Sequence, residues 1–469
     1  MRRNRESQAS LGPLAAGRMG AVGLLALISL AGPVRADVVT DWNVTTLQAA
    51  VAAGVPQRQH RVAAMVHAAI HDAVNSIEPR YEAYAVQVSP SGEASIEAAA
   101  VQAAYGVLIR LLPAQAALLD GARSASLSQI PDGPVKEEGL AVGEAVAGRI
   151  VALRRTDGSD VDGTYTFGSG PGEYQRTPPN FGNPAVPAFR FVKPFVLKRG
   201  DQFRAEGPPS LDSDEWAADF DEVKRLGRVD SVERTAEQTE IALCGAEPAL
   251  PMWNRVARSM SAQRHTSLVE NARLFALLNL AMVDANIATW DSKYTYRFWR
   301  PVTAIPLADT DGNDATEADP DWMPLRPTPL HPEYPSAHAV VSNAAARVMT
   351  GFFGNRVAFS TATSTCPAGV VRSYHSFQAM ADEIGDSRIY IGFHFRSSIR
   401  DGAKLGRQVG HWTFQRSLQP CADVQDGRSD PAGDLPARMP WLTAVPGASR
   451  RNESTARRLA SSTGQNAPQ

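Results

Sequence analysis

Apolar residues recur at helical spacing along most of the chain. Between residues 44 and 76 they fall at Leu47, Val51 and Val55, then at Val62, Met65, Val66, Ala69, Ile70, Ala73 and Val74. Steps of three and four put them on one face of a 3.6-residue helix. Ala-rich segments at 93–112, 114–128 and 136–154 repeat the pattern. Residues 157–212 break it. Their Gly, Pro and aromatic residues, including Thr177-Pro-Pro-Asn-Phe and Pro187-Ala-Phe-Arg-Phe, predict a long ordered loop. Ser210-Leu-Asp-Ser-Asp-Glu then predicts a helix start, because Ser and Asp accept from orphan N–H groups and acids suit the first turn. Helical spacing returns at 213–226, 231–244, 249–261 and 265–293, lapses over 302–334, and resumes at 336–352, 372–386 and 394–417. Strand-like alternation is almost absent, and no repeat of 20–50 residues is visible. The expectation is an all-α protein of two packed helical bundles joined by long ordered loops. The predicted units are 1–36, 37–250, 251–445 and 446–469.

Residues 1–36 read as an export signal. Arg2, Arg3, Arg5 and Arg18 precede an apolar run from Ala21 to Gly32, and Val34 and Ala36 are small residues spaced for cleavage. A membrane anchor is the other reading, but a span needs about 20 apolar residues and this run has about 12. No later stretch reads as long and apolar enough to span a bilayer. Without residues 1–36 the formal charge moves from −2 to −6, which gives no basic surface for nucleic acid or an acidic membrane. Hydrophobic content of 43% excludes wholesale disorder; only the polar stretch 446–469 reads as disordered. The expected location is periplasmic or secreted. Of the three cysteines, Cys366 and Cys421 are the expected pair, because Cys244 closes an apolar run.

Three segments carry candidate chemistry. In Lys293-Tyr-Thr-Tyr-Arg-Phe-Trp-Arg300-Pro301 the two cations are seven residues apart, about 700° of helical rotation, so on a continuous helix they share one face. Cations snorkelling over an aromatic core would give the same pattern. In Pro335-Ser336-Ala337-His338 a turn opens a helix with Ser and His at its positive end, which suits an anion and a proton donor; a capping Ser followed by a surface His explains it equally. In Ser387-Arg388-Ile-Tyr-Ile-Gly392-Phe-His394 the Arg and His converge only if the chain breaks, and Gly392 is a plausible break; a core His is the alternative. Together, three cations with no run of acids nearby predict a bound tetrahedral oxyanion, since unpaired buried charge is costly.

In this order the three segments resemble the signature shared by vanadium-dependent haloperoxidases and type 2 phosphatidic acid phosphatases. His67-Ala-Ala-Ile-His71-Asp-Ala-Val-Asn75, Arg234-Thr-Ala-Glu-Gln-Thr-Glu-Ile-Ala and Trp253-Asn254 also look like bacterial members, so the resemblance extends over most of 44–415. It implies vanadate in the C-terminal bundle, with His394 on vanadium and Lys293, Arg300, Ser336, Arg388 and the Ala337 amide on its oxygens. It implies His338 as the acid–base residue, hydrogen peroxide and halide as substrates, and hypohalous acid that halogenates a small organic substrate. Trp290 matches a position common near such sites, and His331, where bromide-oxidising members carry His, points to bromide or iodide. Ala337 replaces the usual Gly, which would add strain if that position needs φ > 0. Ser398 stands where the family often has Asp, and Asp401 is expected to substitute in part. A secreted acid phosphatase with a phosphohistidine intermediate at His394 is the alternative, and a non-catalytic binding protein a third. Enzymes of this size often form homo-oligomers.

Two further patterns are weaker. His67 and His71 with Asp72 resemble half a zinc site, but Ala68 stands where a catalytic Glu would be. Asp309-Thr-Asp311-Gly-Asn313-Asp314 resembles the start of a calcium loop, but Asp314 and Pro320 stand where Gly and Glu belong, so a polar turn is expected.

Overall fold

The computed structural model describes residues 37–421. The signal reading of 1–36 and the disordered reading of 446–469 lie outside them. The described residues are mostly helical, as the spacing predicts, with one short antiparallel hairpin. Helices α1 (Val38–Ala50), α2 (Pro56–Ile77), α3 (Ile96–Leu111), α4 (Ala116–Leu127) and α5 (Pro134–Leu153) come first. After the long loop follow α6 (Asp214–Leu226), α7 (Ala236–Cys244), α8 (Ala249–Arg264), α9 (Leu268–Tyr296) and the short α10 (Pro301–Ala304). Helix α11 (Ala337–Phe353), strands β1 (Phe359–Thr361) and β2 (Arg372–Tyr374), then α12 (Phe377–Tyr390) and α13 (Arg396–Arg416) complete it.

Local chemistry sets the boundaries. The predicted helix over 44–76 is two helices, because Val51–Ala53 tightens to a 3-10 turn, Gly54 takes φ 84° and Pro56 starts α2. Ser213 caps α6 by accepting from the Trp216 amide at 3.1 Å, and Thr235 and Ser267 each form a capping box with Gln238 and Glu270. The helix predicted from 372 starts at Phe377, because residues 372–374 pair with β1 as an antiparallel hairpin.

Helix α9 is the common wall. It packs against α2 of the first half and α11 of the second, inside one hydrophobic cluster running from Val39 to Leu418. This corrects one expectation: α9 is long and apolar enough to cross a membrane, although its apolar stretch is entirely buried by protein. Close backbone approach then brings α13 onto α11. A Cβ on Gly406 would sit 2.1 Å from the Val340 carbonyl, so only glycine lets the two helices meet there.

The 157–212 loop is clamped to α9. Asp284 accepts from the amides of Phe195, Val196 and Leu197 at 2.7, 2.7 and 2.8 Å. Arg204 forks onto Asp291 at 2.5 and 2.9 Å. Trp290 and Tyr294 both donate to the Ala185 carbonyl. The two weaker motifs are also spent on structure. His67 contacts the Asn43 amide at 2.8 Å, Asp72 caps the amides of residues 84–86, and Asp311 accepts from Trp216, Asn313 and Thr316.

The disulfide differs from expectation. Cys244 joins Cys366, and Cys421 is free. Gly245 ends α7 directly after Cys244, so that cysteine faces the β1–β2 excursion and not the middle of a packed helix face.

Candidate oxyanion site

Lys293, Arg300, Ser336, Arg388 and His394 are all buried. Arg300 contacts both His394 and His331, and the His331 ring lies against Trp290. The charges of Lys293, Arg300 and Arg388 act on His394, those of Lys293 and Arg388 also on His338, so these groups surround one buried pocket beside the start of α11 at Ser336 and Ala337. Lys293 and Arg300 do not share a helical face as predicted. Helix α9 stops at Tyr296 because Arg297 turns left-handed (φ 51°), and Arg300 arrives as the residue before α10. Its reach is set by backbone pairing: Trp299 donates to the Gly172 carbonyl and Glu333 to the Phe298 carbonyl, both at 2.9 Å. Lys293 Nζ donates to the carbonyls of Pro332 and Glu333 at 2.8 and 2.7 Å.

The break at Gly392 is real. This residue takes φ 84°, and a Cβ there would meet the Gly227 carbonyl at 2.6 Å. The amides of Phe393 and His394 turn back onto the Arg388 carbonyl. Arg388 and His394 therefore converge although a continuous helix would set them about 120° apart.

His394 is the most tightly held imidazole. Its Nδ1 lies 2.7 Å from Glu333 Oε1, which also accepts from the Phe395 amide at 3.1 Å. Arg300 Nη1 lies 3.2 Å from Nε2. A guanidinium only donates and a carboxylate accepts, so the proton belongs on Nδ1 and the lone pair on Nε2. Ser398 Oγ is a longer contact at 3.4 Å. Asp401 does not substitute. Its carboxylate accepts from Tyr334 at 2.8 Å and pairs with Arg400. Glu333, which the sequence reading missed, does that work from a different segment. Its signal was thin: one acid three residues before Ser336, with nothing in the spacing to relate it to residue 394.

His338 Nε2 lies 3.2 Å from the Glu247 carbonyl, which places its proton on Nε2 and leaves Nδ1 free to accept. His331 Nδ1 accepts from Arg300 Nη2 at 2.8 Å, and its ring lies 5.2 Å from Trp290. Ala337 starts α11 with ordinary helical backbone and negative φ, so its Cβ costs no strain. The first-turn amides of that helix lack intrahelical partners.

Burial dominates the electrostatics. It drives Lys293 well below its ordinary range, helped by the Arg300 and Arg388 charges. It lowers Arg300 to about 10 and Arg388 to about 9. Burial and then the neighbouring cations hold His331, His338 and His394 well below the usual imidazole range. Burial raises Glu333 to about 7 against the pull of Lys293 and Arg300. The lowered values of the cations and imidazoles record a cost that a polyanion in the pocket would relieve, whereas the Glu333 carboxylate is offset by Lys293 and Arg300.

The donor set fits vanadate or phosphate. Three cations face one carboxylate. Among the described residues Arg388 Nε is buried without a partner, and Nη1 donates to the Gly245 carbonyl at 3.0 Å. The Ser336 hydroxyl has one long contact, at 3.5 Å from the Ala339 amide. These free donors suit the oxygens of a tetrahedral anion.

The chain is similar to several known proteins. Residues 273–422 match the family model described as the second helical-bundle domain of vanadium chloroperoxidase. The vanadium chloroperoxidase of Curvularia inaequalis is 25% identical over 222 residues, 38% of this chain and 36% of that one, so the match spans about a third of the fungal protein. A bacterial vanadium-dependent iodoperoxidase structure superposes with a TM-score of 0.71 and 26% identity, covering 82% of this chain and 97% of the other. A bacterial vanadium-dependent chloroperoxidase in its apo form superposes at 0.62 with 18% identity, over 80% and 94% of the two chains, and so speaks to the fold alone. Residues 273–422 thus match the second helical-bundle domain of vanadium chloroperoxidase, and over most of its length the chain is similar in fold to bacterial vanadium haloperoxidases.

Proposed function

We propose that this protein is a vanadium-dependent haloperoxidase that uses hydrogen peroxide to oxidise halide to hypohalous acid. The observation that carries the reading is the pocket of Lys293, Arg300, Arg388 and Ser336 around a His394 whose Nε2 lone pair is fixed inward by Glu333. In it, Lys293, Arg300 and Arg388 neutralise the anion's charge, and Ser336 with the Ala337 amide donates to its oxygens. His394 offers Nε2 as ligand. His338 takes or returns a proton at Nδ1, the nitrogen that its bond to Glu247 leaves free. Vanadate, when bound, supplies a Lewis-acid centre that activates peroxide towards halide without changing oxidation state. Trp290, tied to the 157–212 loop through the Ala185 carbonyl, lies against His331.

His331 favours bromide or iodide: its imidazole sits against Arg300 where an apolar ring would leave a less polar halide path. The iodoperoxidase among the similar structures supports that choice. Residues 1–36 and the Cys244–Cys366 disulfide support a periplasmic or secreted location, since such bonds persist in oxidising compartments.

A second reading, an acid phosphatase, is favoured by one contact. A carboxylate on Nδ1 also makes Nε2 a better nucleophile towards phosphorus, with His338 protonating the leaving oxygen. One assay separates the two. The protein is loaded with orthovanadate, and peroxide-dependent iodination and bromination of a dye are measured beside hydrolysis of an aryl phosphate. Halogenation suppressed by excess phosphate is the expected result. Hydrolysis inhibited by vanadate, without halogenation, establishes the phosphatase. Silence in both, with no vanadium retained, refutes both.

A further inference from the structure

Two groups of the pocket lean on one short stretch of chain. Arg388 Nη1 donates to the Gly245 carbonyl at 3.0 Å, and His338 Nε2 donates to the Glu247 carbonyl at 3.2 Å. Residues 244–247 link α7 to α8, and most of their tethers come from the excursion between α11 and α12. Cys244 is bonded to Cys366, and Thr363 Oγ1 donates to the Cys244 carbonyl at 2.8 Å. The Glu247 carboxylate receives Ser364 Oγ at 2.9 Å and, from α8, Arg255 Nη1 at 3.0 Å. The seat is tight: a Cβ on Gly245 would lie 2.2 Å from Ser387 Oγ, beside Arg388. The excursion continues α11, which begins at Ser336–His338, and leads into α12, which ends near Arg388.

We propose that the Cys244–Cys366 cystine is a positioning element of the oxyanion site. It fixes the Gly245 and Glu247 carbonyls, and through them the aim of Arg388 and the tautomer of His338. The cysteines are 122 residues apart in sequence. Without the bond, residues 244–247 keep hydrogen bonds from Thr363, Thr365 and Ser364, while the Arg372 ion pairs to Glu237 and Glu240 act one to two turns further up α7. A hydrogen bond already at 3.2 Å fails after a shift of a few tenths of an ångström. Loss of the Glu247 contact frees the His338 proton to move to Nδ1, where it blocks the accepting face. The inference rests on the reading of the pocket as an oxyanion site.

The test uses the whole protein and orthovanadate as the probe. Tris(2-carboxyethyl)phosphine reduces the cystine. Two electrons pass from phosphorus to the S–S bond, water supplies the oxygen of the phosphine oxide, and each sulfur takes a proton. The phosphine is removed before measurement. Calorimetric affinity for orthovanadate should fall roughly tenfold or more, the range typical of groups that orient a metal ligand or its neighbours, and reoxidation with oxidised glutathione should restore it. Cys366→Ser should behave as the reduced protein does. Thr363→Val keeps the cystine and removes one tether, so it should weaken binding roughly fivefold, the worth of one hydrogen bond; it decides the matter if Cys366→Ser fails to fold. Unchanged affinity and turnover in folded, reduced protein and in Thr363→Val would overturn the inference. A native protein that binds no orthovanadate would instead refute the reading of the pocket.

Discussion

Glu333→Gln separates charge from shape at the centre of the site. The amide is nearly isosteric, and its oxygen can still accept from His394 Nδ1 and the Phe395 amide. What disappears is the negative charge in a fully buried contact of 2.7 Å. Hydrogen bonds to charged groups contribute about 1.5–3 kcal/mol, against about 1 for neutral ones. Some 1–2 kcal/mol of the stabilisation of His394 as a ligand is therefore at stake, about five- to thirtyfold in an equilibrium constant. A second effect opposes it: with three cations and no carboxylate the pocket attracts any anion more strongly. Two probes divide these contributions. Vanadate uses both the pocket's charge and the basicity of Nε2, whereas phosphate at equilibrium uses the charge alone. Calorimetry should find phosphate binding unchanged or tighter and vanadate binding weaker. Halide oxidation at saturating vanadate should fall as well. If the two anions shift together in the variant, Glu333 does not tune His394, and the assignment of its role is wrong.

Three other outcomes are expected. His338→Ala should keep orthovanadate but lose about 10²–10⁴ in turnover, whereas His394→Ala should lose orthovanadate itself; equal vanadium content and equal rates in both would contradict the assigned roles. Burial raises the Asp284 carboxyl to about 6, above its unfolded value of about 4, so the folded protein holds that proton more tightly. The corresponding stability, about 3 kcal/mol for about two pKa units, is complete below pH 4 and lost as pH rises through 6. Urea titrations of the native protein and Asp284→Asn should therefore show a stability difference that shrinks from pH 4 to 7, and a constant difference would count against it. Gly406→Ala should cost about 1–3 kcal/mol or more through overpacking, because its Cβ meets the Val340 carbonyl at 2.1 Å. Gly148→Ala, in α5 with open space around it, is the control and should leave the thermal midpoint level or raised.

The sequence by itself determined the helices and the chemistry of the pocket. Helical class follows from the spacing of apolar residues, which any backbone must satisfy locally. Caps at Ser213, Thr235 and Ser267 are equally local. The break at Gly392 was legible because a residue without Cβ permits φ 84° where others do not. The identities of Lys293, Arg300, Ser336, His338, Arg388 and His394 came from ordered motifs. Contacts between distant segments were decided only by tertiary structure. Arg297 turning left-handed moved Arg300 off the helix, so the shared-face argument failed while the convergence held. Glu333, not Asp401, reached His394, because the 302–334 loop folds beneath α13 and Asp401 faces Tyr334. Cys244 found Cys366 because α7 ends beside the β1–β2 excursion. Periodicity records which face of an element is buried. It carries nothing about which other element covers that face, and the acid, the disulfide and the carbonyl partners of this site are all supplied across such contacts.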